Sequence, residues 1–173
     1  MPLTKDTEVT KESFASIVKA HSRAIFNVAF RIVNDYEDAM DITQTTFLKA
    51  YERLDSYDPS HKIFSWLYKI AVNEAIDCVN RRRRAEPLDD DDPAVEQGPD
   101  EMCAQNETSL QLQRALRELD LDCRTVLVLR HFQDLSYREI ADILGIPEKT
   151  VKSRLFTGRQ RLRDSLVKQG YAP

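Results

Sequence analysis

Between Ala85 and Thr108 the chain carries nine carboxylates, four helix breakers (Pro87, Pro93, Gly98, Pro99) and no Lys or Arg. Such a stretch has too little apolar side chain to offset the entropy of ordering it. Repulsion between its like charges predicts an extended tether. It divides the 173 residues into a first unit over 1–84, an acidic flexible linker over 85–108 and a second unit over 109–173. The linker also disguises the charge of the rest. The whole chain is at −4, yet without this segment the remainder carries +5. From Lys149 to Lys168 seven basic residues face one acid, Asp164. A pI of 5.5 is therefore compatible with a nucleic-acid partner, because charge acts locally.

No run on either side alternates convincingly with a period of two, so the expectation is an all-α protein of two small helical domains. In the first unit, Phe14, Ile17, Val18, Ile25, Val28, Ala29 and Ile32 fall on one face of a helix over Lys11 to Val33. Asn34 and Asp35 end it, and the short Asp35 side chain suits the cap of the next helix. That helix, about Tyr36 to Leu54, is expected to bury Ala39, Ile42, Phe47, Ala50, Tyr51 and Leu54. Asp38, Asp41, Gln44, Thr45 and Leu48 then face outward. After a loop from Asp55 to Lys62, a third helix from about Ile63 to Arg83 turns Phe64, Leu67, Ile70, Ala71, Cys78 and Val79 inward.

The second unit opens with helices at about Ser109 to Glu118 and Asp122 to Phe132. Two more lie in "LSYREIADILGIPEKTVKSRL", Leu135 to Leu155. Ser136 with Glu139 has capping-box spacing, and Ile140, Ala141 and Leu144 form the buried stripe. Gly145 permits a left-handed backbone, and Pro147 suits a new first turn. Two helices joined by a short Gly-containing turn predict a helix-turn-helix, with Ala141 small where they meet and Ile146 and Val151 pinning the second on the first. The outer face of that second helix presents Lys149, Lys152, Ser153, Phe156 and Arg159. A helix of this width fits the major groove of duplex DNA, and its basic residues neutralise phosphates. A second nucleic-acid signal lies in the first unit. Ser65-Trp66-Leu67-Tyr68-Lys69 precedes Arg81 to Arg84 on one helix, offering aromatic faces for unpaired bases and guanidinium groups for phosphate.

Other classes fit poorly. There is no phosphate-cradling Gly loop, and His21, His61 and His131 are scattered, so neither an enzyme nor a cofactor or metal site is expected. Cys78, Cys103 and Cys123 lack CxxC spacing and read as two small core residues and one linker thiol. The amino terminus has no apolar signal core, and no stretch approaches the roughly 20 apolar residues that span a bilayer. The expectation is a cytoplasmic chain with no membrane insertion. A stand-alone helix-turn-helix regulator with a ligand or partner domain is the rival reading.

Taken together, "DAMDITQTTFLKAY" (Asp38 to Tyr51), "FSWLYKIAVNEAIDCVNRRRR" (Phe64 to Arg84) and "VLVLRHFQDLSYREIADILGIPEKTVKSRLFTGRQRLR" (Val126 to Arg163) resemble bacterial RNA polymerase sigma factors. The resemblance is to the extracytoplasmic-function (ECF) group, associated with stress responses, and covers nearly the whole chain. It implies a protein without catalytic chemistry of its own that binds core polymerase, directs it to promoters and helps open the duplex. Asp38, Asp41, Gln44 and Leu48 then resemble the surface that docks on the clamp helices of the largest polymerase subunit, and the flap of the second-largest subunit is a further partner. The loop Asp55 to Lys62, with Ser60, His61 and Lys62, resembles the element that captures a flipped base of the −10 motif. Trp66, Tyr68 and Asn73 lie near the separating strands, with Arg81, Arg82, Arg83 and Arg84 on the adjoining backbone. For the −35 element the resemblance points to Lys149, Thr150, Lys152, Ser153, Arg154, Phe156, Thr157 and Arg159. Thr45 stands where the family often has Glu, and Thr157 where Arg is common. Many relatives are held by an anti-sigma factor. The linker would thread toward the active-site cleft and the RNA path, where its carboxylates suit an electropositive channel.

Overall fold

The computed structural model describes residues 11–85 and 107–171, so residues 86–106 of the tether, including Cys103, lie outside the described residues, while Ala85, Glu107 and Thr108 belong to the flanking helices. Those residues form seven α-helices, one 3-10 turn and no strand. The helices are α1 Lys11–Val33, α2 Tyr36–Glu52, α3 Ile63–Ala85, α4 Glu107–Arg117, α5 Leu121–Phe132, α6 Tyr137–Leu144 and α7 Glu148–Lys168.

α1, α2 and α3 pack on one another as a three-helix unit. Asn34 takes a left-handed conformation (φ 56°), which its short polar side chain tolerates. Asp35 then caps α2, its Oδ1 accepting from the Asp38 amide at 2.8 Å. Phe26, Ile25, Ile32, Leu67 and Val72 are fully buried between the three helices. Two details depart from the sequence expectation. Tyr51 is 39% exposed rather than buried, and α2 stops at Glu52, leaving Leu54 half-buried in the 3-10 turn Leu54–Ser56. Thr43 and Thr46 of α2 are buried, and each hydroxyl donates to a carbonyl one turn back (Ala39 and Ile42, both 2.7 Å). The polar atom is satisfied locally, and the methyl group packs.

The second unit is organised around α7, which packs on α4, α5 and α6. Asp120 caps α5 through the Cys123 amide at 2.9 Å. Ser136 and Glu139 form the complete capping box at the head of α6. Gly145 ends α6 at φ 65°, and the Ile146 amide reaches back to the Ala141 carbonyl at 3.1 Å. Pro147 caps α7 rather than entering it. Gly158 lies against α5, where a Cβ would stand 3.0 Å from Leu127 Cδ1 and 3.3 Å from Cys123 Cβ. The absent side chain therefore sets the α5–α7 spacing. Cys78 and Cys123 are both buried free thiols, and burial first, then a neighbouring aspartate, pushes each up to about 11.

The two units do not stand apart. α1 packs on α4 and α5, and α3 packs on α6, so one continuous apolar cluster runs from Phe14 to Leu155. An extended tether leads to the expectation of separated domains. The packing surface that joins them is apolar and is fastened at helix ends by buried polar side chains, Gln113 and Arg124.

Candidate nucleic-acid interface

The front of α7 is the more open of two aromatic–basic surfaces. Val151, Leu155 and Gly158 bury the back of the helix, and this forces Lys149, Lys152, Ser153 and Phe156 outward. Phe156 is 64% exposed, an apolar ring held in water beside the Lys152 and Arg159 cations. Lys152 Nζ lies 5.8 Å from the centre of the Tyr137 ring on α6. Other predicted residues of this helix are engaged sideways. Arg154 pairs with Asp122 of α5 at 2.6 Å. Arg159 Nε donates to His131 Nε2 at 3.3 Å. Thr150 and Thr157 are half-buried at the flanks. Burial, followed by Arg159 and Arg130, lowers the His131 pKa, so its ring is neutral near pH 7 and can accept that hydrogen bond.

The second surface lies at the head of α3. The Asp58 carboxylate accepts from the Ser60 amide at 2.9 Å, and the Tyr57 hydroxyl donates to the His61 carbonyl. These bonds fold the loop into a compact turn. Ser60 and His61 stand exposed on it, with the Tyr57 ring 5.2 Å from the Trp66 ring. The Ser60 amide is the first cause of the lowered Asp58 pKa, so the turn is held by an ionised carboxylate at neutral pH. A cleft of about 580 Å³ opens here, between Tyr57, His61, Trp66 and Lys69 on one side and Arg138 and Asp142 of α6 on the other. A second recess, of about 350 Å³, lies on another flank of Trp66 and includes Asn73. Trp66 is half-buried, between a core residue and a free platform. Tyr68 is 6% exposed, and its hydroxyl donates to Gln133 of α5's carboxyl end at 2.5 Å. Lys62 pairs with Glu139 of α6 at 3.0 Å.

The far end of α3 separates the four arginines. Arg82 turns toward α2 and pairs with Asp35 (3.0 Å) and Asp38 (2.6 Å). Burial acts to raise the Asp35 pKa, but the Asp38 amide and Arg82 outweigh it and hold the carboxyl low. Arg81, Arg83 and Arg84 are exposed. Asp38 also accepts from the Cys78 thiol at 3.0 Å, so it serves a tie within the first unit. Asp41, Gln44 and Leu48 point outward together, Leu48 at 60% exposure.

Three features were not singled out from sequence. One is an apolar groove of about 360 Å³ between α5 and α7, lined by Leu127, Leu162, Leu166, Val167 and Tyr171 with His131 and Arg159 at its edge. The others are Arg124 and Gln113, both buried where the two units meet. The groove has a sequence trace in the apolar residues at 162, 166 and 167, which exceed what one helix face needs for its own core. Among the described residues, no group of His, Cys, Asp and Glu is arranged to hold a metal ion, and no helix is long and apolar enough to cross a membrane.

A groove-sized basic helix and a separate aromatic–basic cleft are features of a DNA-binding protein. Comparison with known proteins specifies it further. Residues 17–85 match the Sigma-70 region 2 family and residues 109–162 match Sigma-70 region 4. The ECF RNA polymerase sigma factor SigW of Bacillus subtilis (strain 168) is 33% identical over 168 residues, covering 90% of each chain. Among solved structures, CnrH in complex with the cytosolic domain of CnrY superposes with a TM-score of 0.71 at 26% identity, over 92% of this chain and 90% of that one. The sigma factor RpoE, in complex with the anti-sigma factor NepR from Bartonella quintana, superposes with a TM-score of 0.72 at 24% identity, over 90% and 97% of the two chains. The chain belongs to the ECF RNA polymerase sigma factors. It recognises promoters and serves transcription initiation.

Proposed function

We propose that the two aromatic–basic surfaces divide promoter reading between them. The front of α7, through Lys152, Ser153 and Phe156, enters the major groove at the −35 element, with Lys149 on adjoining phosphate. The head of α3 takes the separated non-template strand of the −10 element. A base leaves the stack into the cleft beside Trp66 and Tyr57, while Ser60, His61 and Lys62 rim it and Asn73 lies on the other side of the indole. Arg81, Arg83 and Arg84 then follow the backbone, and Arg82 acts by fixing α3 to α2. The observation that carries this division is the half-buried Trp66, packed by the tilted Tyr57 ring on one side and bordered by open cleft on the other.

The same reading assigns the partner surfaces. Asp41, Gln44 and Leu48 dock on the clamp helices of the largest polymerase subunit, with Asp38 positioned by Arg82 at the edge. The apolar α5–α7 groove suits an apolar segment of the flap of the second-largest subunit, because its lining is almost wholly hydrocarbon and a helix side fits between two helices. An anti-sigma factor is a further partner. The superposition with CnrH, solved in complex with the cytosolic domain of CnrY, supports this reading. These assignments place the chain in the cytoplasm, with polymerase.

Transcription in vitro tests the reading. Core polymerase with the chain is assayed on a promoter library, beside Lys152→Ala/Ser153→Ala and Asp41→Ala/Gln44→Ala. The first pair is expected to lose −35-dependent starts and keep core binding, and the second to do the reverse. Equal loss of core binding by both pairs refutes the assignment of α7.

A further inference from the structure

His131 stands in the last turn of α5, at the corner between the front of α7 and the apolar α5–α7 groove. Its ring Nε2 accepts from Arg159 Nε of α7 at 3.3 Å. Arg159 follows Lys152 by two helical turns and Phe156 by one, and all three are exposed on one face of α7. Burial, then Arg159 and Arg130, holds the imidazole below its usual pKa. In the neutral ring that accepts at Nε2, the proton sits on Nδ1. Arg130, the adjacent residue, does not compete for this acceptor. Its Nη1 donates to the Leu135 carbonyl at 2.8 Å, and its guanidinium lies 5.4 Å from the centre of the Tyr137 ring. Elsewhere on α7, Arg154 and Arg161 pair with Asp122 and Asp120 at the head of α5. Those carboxylates neutralise the cations they hold. Arg159 is held instead by a neutral ring, which orients the guanidinium without cancelling its charge.

A guanidinium carries its N–H donors in one rigid plane. With Nε committed to His131, the two terminal nitrogens remain as an end-on fork, which matches two oxygens of a phosphate. At about 1.5 Å of rise per residue, Arg159 lies about 10 Å beyond Lys152 along α7. The major groove is about 12 Å wide. A helix that sets Lys152 over the base edges therefore carries Arg159 to the margin of the groove, where the phosphates run. We propose that His131 is a positioning residue for promoter binding, which fixes Arg159 as an end-on clamp on one phosphate at the margin of the −35 groove. This rests on the assignment of the front of α7 to the −35 element made above.

The bond from Arg159 to His131 is exposed and adds little to the stability of the fold. Its effect falls on binding. A free arginine samples many rotamers and loses that freedom when it meets a phosphate, so a side chain ordered beforehand spares the association that cost. Charge and orientation then separate experimentally. Removing the guanidinium removes a phosphate contact and the counter-ion it releases. Removing the ring leaves the charge in place and loses only its aim.

The test titrates a −35 duplex of a recognised promoter with purified holoenzyme over a range of salt concentrations. Arg159→Ala is expected to weaken binding about tenfold and to reduce the slope of log affinity against log salt by about one. His131→Leu is expected to weaken binding about threefold at every salt concentration, with the slope unchanged. His131→Gln, whose side-chain oxygen can replace Nε2 as acceptor, is expected to restore the original affinity. In the Arg159→Ala background, His131→Leu is expected to cost nothing further. A purely structural role for the ring predicts the same threefold loss in both backgrounds, and that result overturns the proposal. So does full affinity in His131→Leu, or no recovery in His131→Gln. Lys152→Ala/Ser153→Ala on the same duplex separates failure of the clamp from failure of the α7 assignment. If that pair loses the duplex while Arg159→Ala keeps it, the clamp alone falls. If neither variant loses it, the assignment of α7 falls and the clamp with it.

Discussion

The head of α3 and the front of α7 both set an aromatic ring among cations, yet the protein treats them differently. Phe156 on α7 projects freely into water. Trp66 is held between Tyr57 and the cleft, with α6 of the other unit across from it. A surface that reads an intact duplex needs only to arrive, because the base edges are already displayed in the groove. A surface that reads unpaired bases must offer a ring to a base that has left its stack, and until then an exposed indole is a sticky liability. The half-burial of Trp66 matches the second task, and the exposure of Phe156 beside Lys152 matches the first.

Substitutions break this comparison in graded fashion. Trp66→Ala removes the stacking partner and is expected to cost about 1–3 kcal/mol in open-complex formation. Permanganate footprinting of holoenzyme on a recognised promoter reads this, with the closed complex retained. Lys152→Ala with Ser153→Ala comes next, at about tenfold weaker use of −35-dependent promoters, and the Lys152 charge also makes its share salt-dependent. Abortive-transcript yield against salt concentration measures it. Gly158→Val sharpens the contrast from the structural side. The added side chain meets Leu127 and Cys123 and is expected to destabilise the α5–α7 packing by about 1–2 kcal/mol. Thermal unfolding followed by circular dichroism reads this as a lowered midpoint. The Trp66 cleft residues of the first unit keep their place in the fold.

The smallest effect is on acid stability. The Ser136 amide and then Lys62 hold Glu139 below its usual 4.5. For Asp120, burial is outweighed by the Cys123 amide and Arg161, so it lies below 3.8. The folded chain holds these protons less tightly than the unfolded chain. The stabilisation is therefore present above about pH 4.5 and is lost as the pH falls through the depressed values. The melting midpoint is expected to drop on acidification below about pH 4, and the drop is shallower in Glu139→Gln. An equal slope in that variant contradicts the capping account.

The helices themselves were legible in the sequence. α1 runs over the predicted residues, Asp35 and Ser136 cap as their positions imply, and Gly145 breaks α6 from α7 with a positive φ. These are local rules, written within a few residues. The packing of the two units was not legible, for a physical reason. Arg124 reads as a solvated cation, and its partner is the Ile32 carbonyl 92 residues away. Gln113 likewise finds the Phe30 carbonyl across 83 residues. A backbone oxygen has no residue type, so neither pairing leaves a signature. Within the candidate interface the same limit applies to Arg154 and Arg82. Each reads as a phosphate ligand by charge alone, and each has a carboxylate close by in space, Asp122 for one and Asp35 with Asp38 for the other.

The most direct test of the divided reading is a paired binding measurement on holoenzyme carrying either Trp66→Ala or Lys152→Ala/Ser153→Ala. One probe is a −35 duplex and the other is the single-stranded non-template −10 segment of the same promoter. The account predicts a crossed result, in which the α3 variant loses the single strand alone and the α7 variant loses the duplex alone. Parallel losses on both probes, in either variant, contradict it.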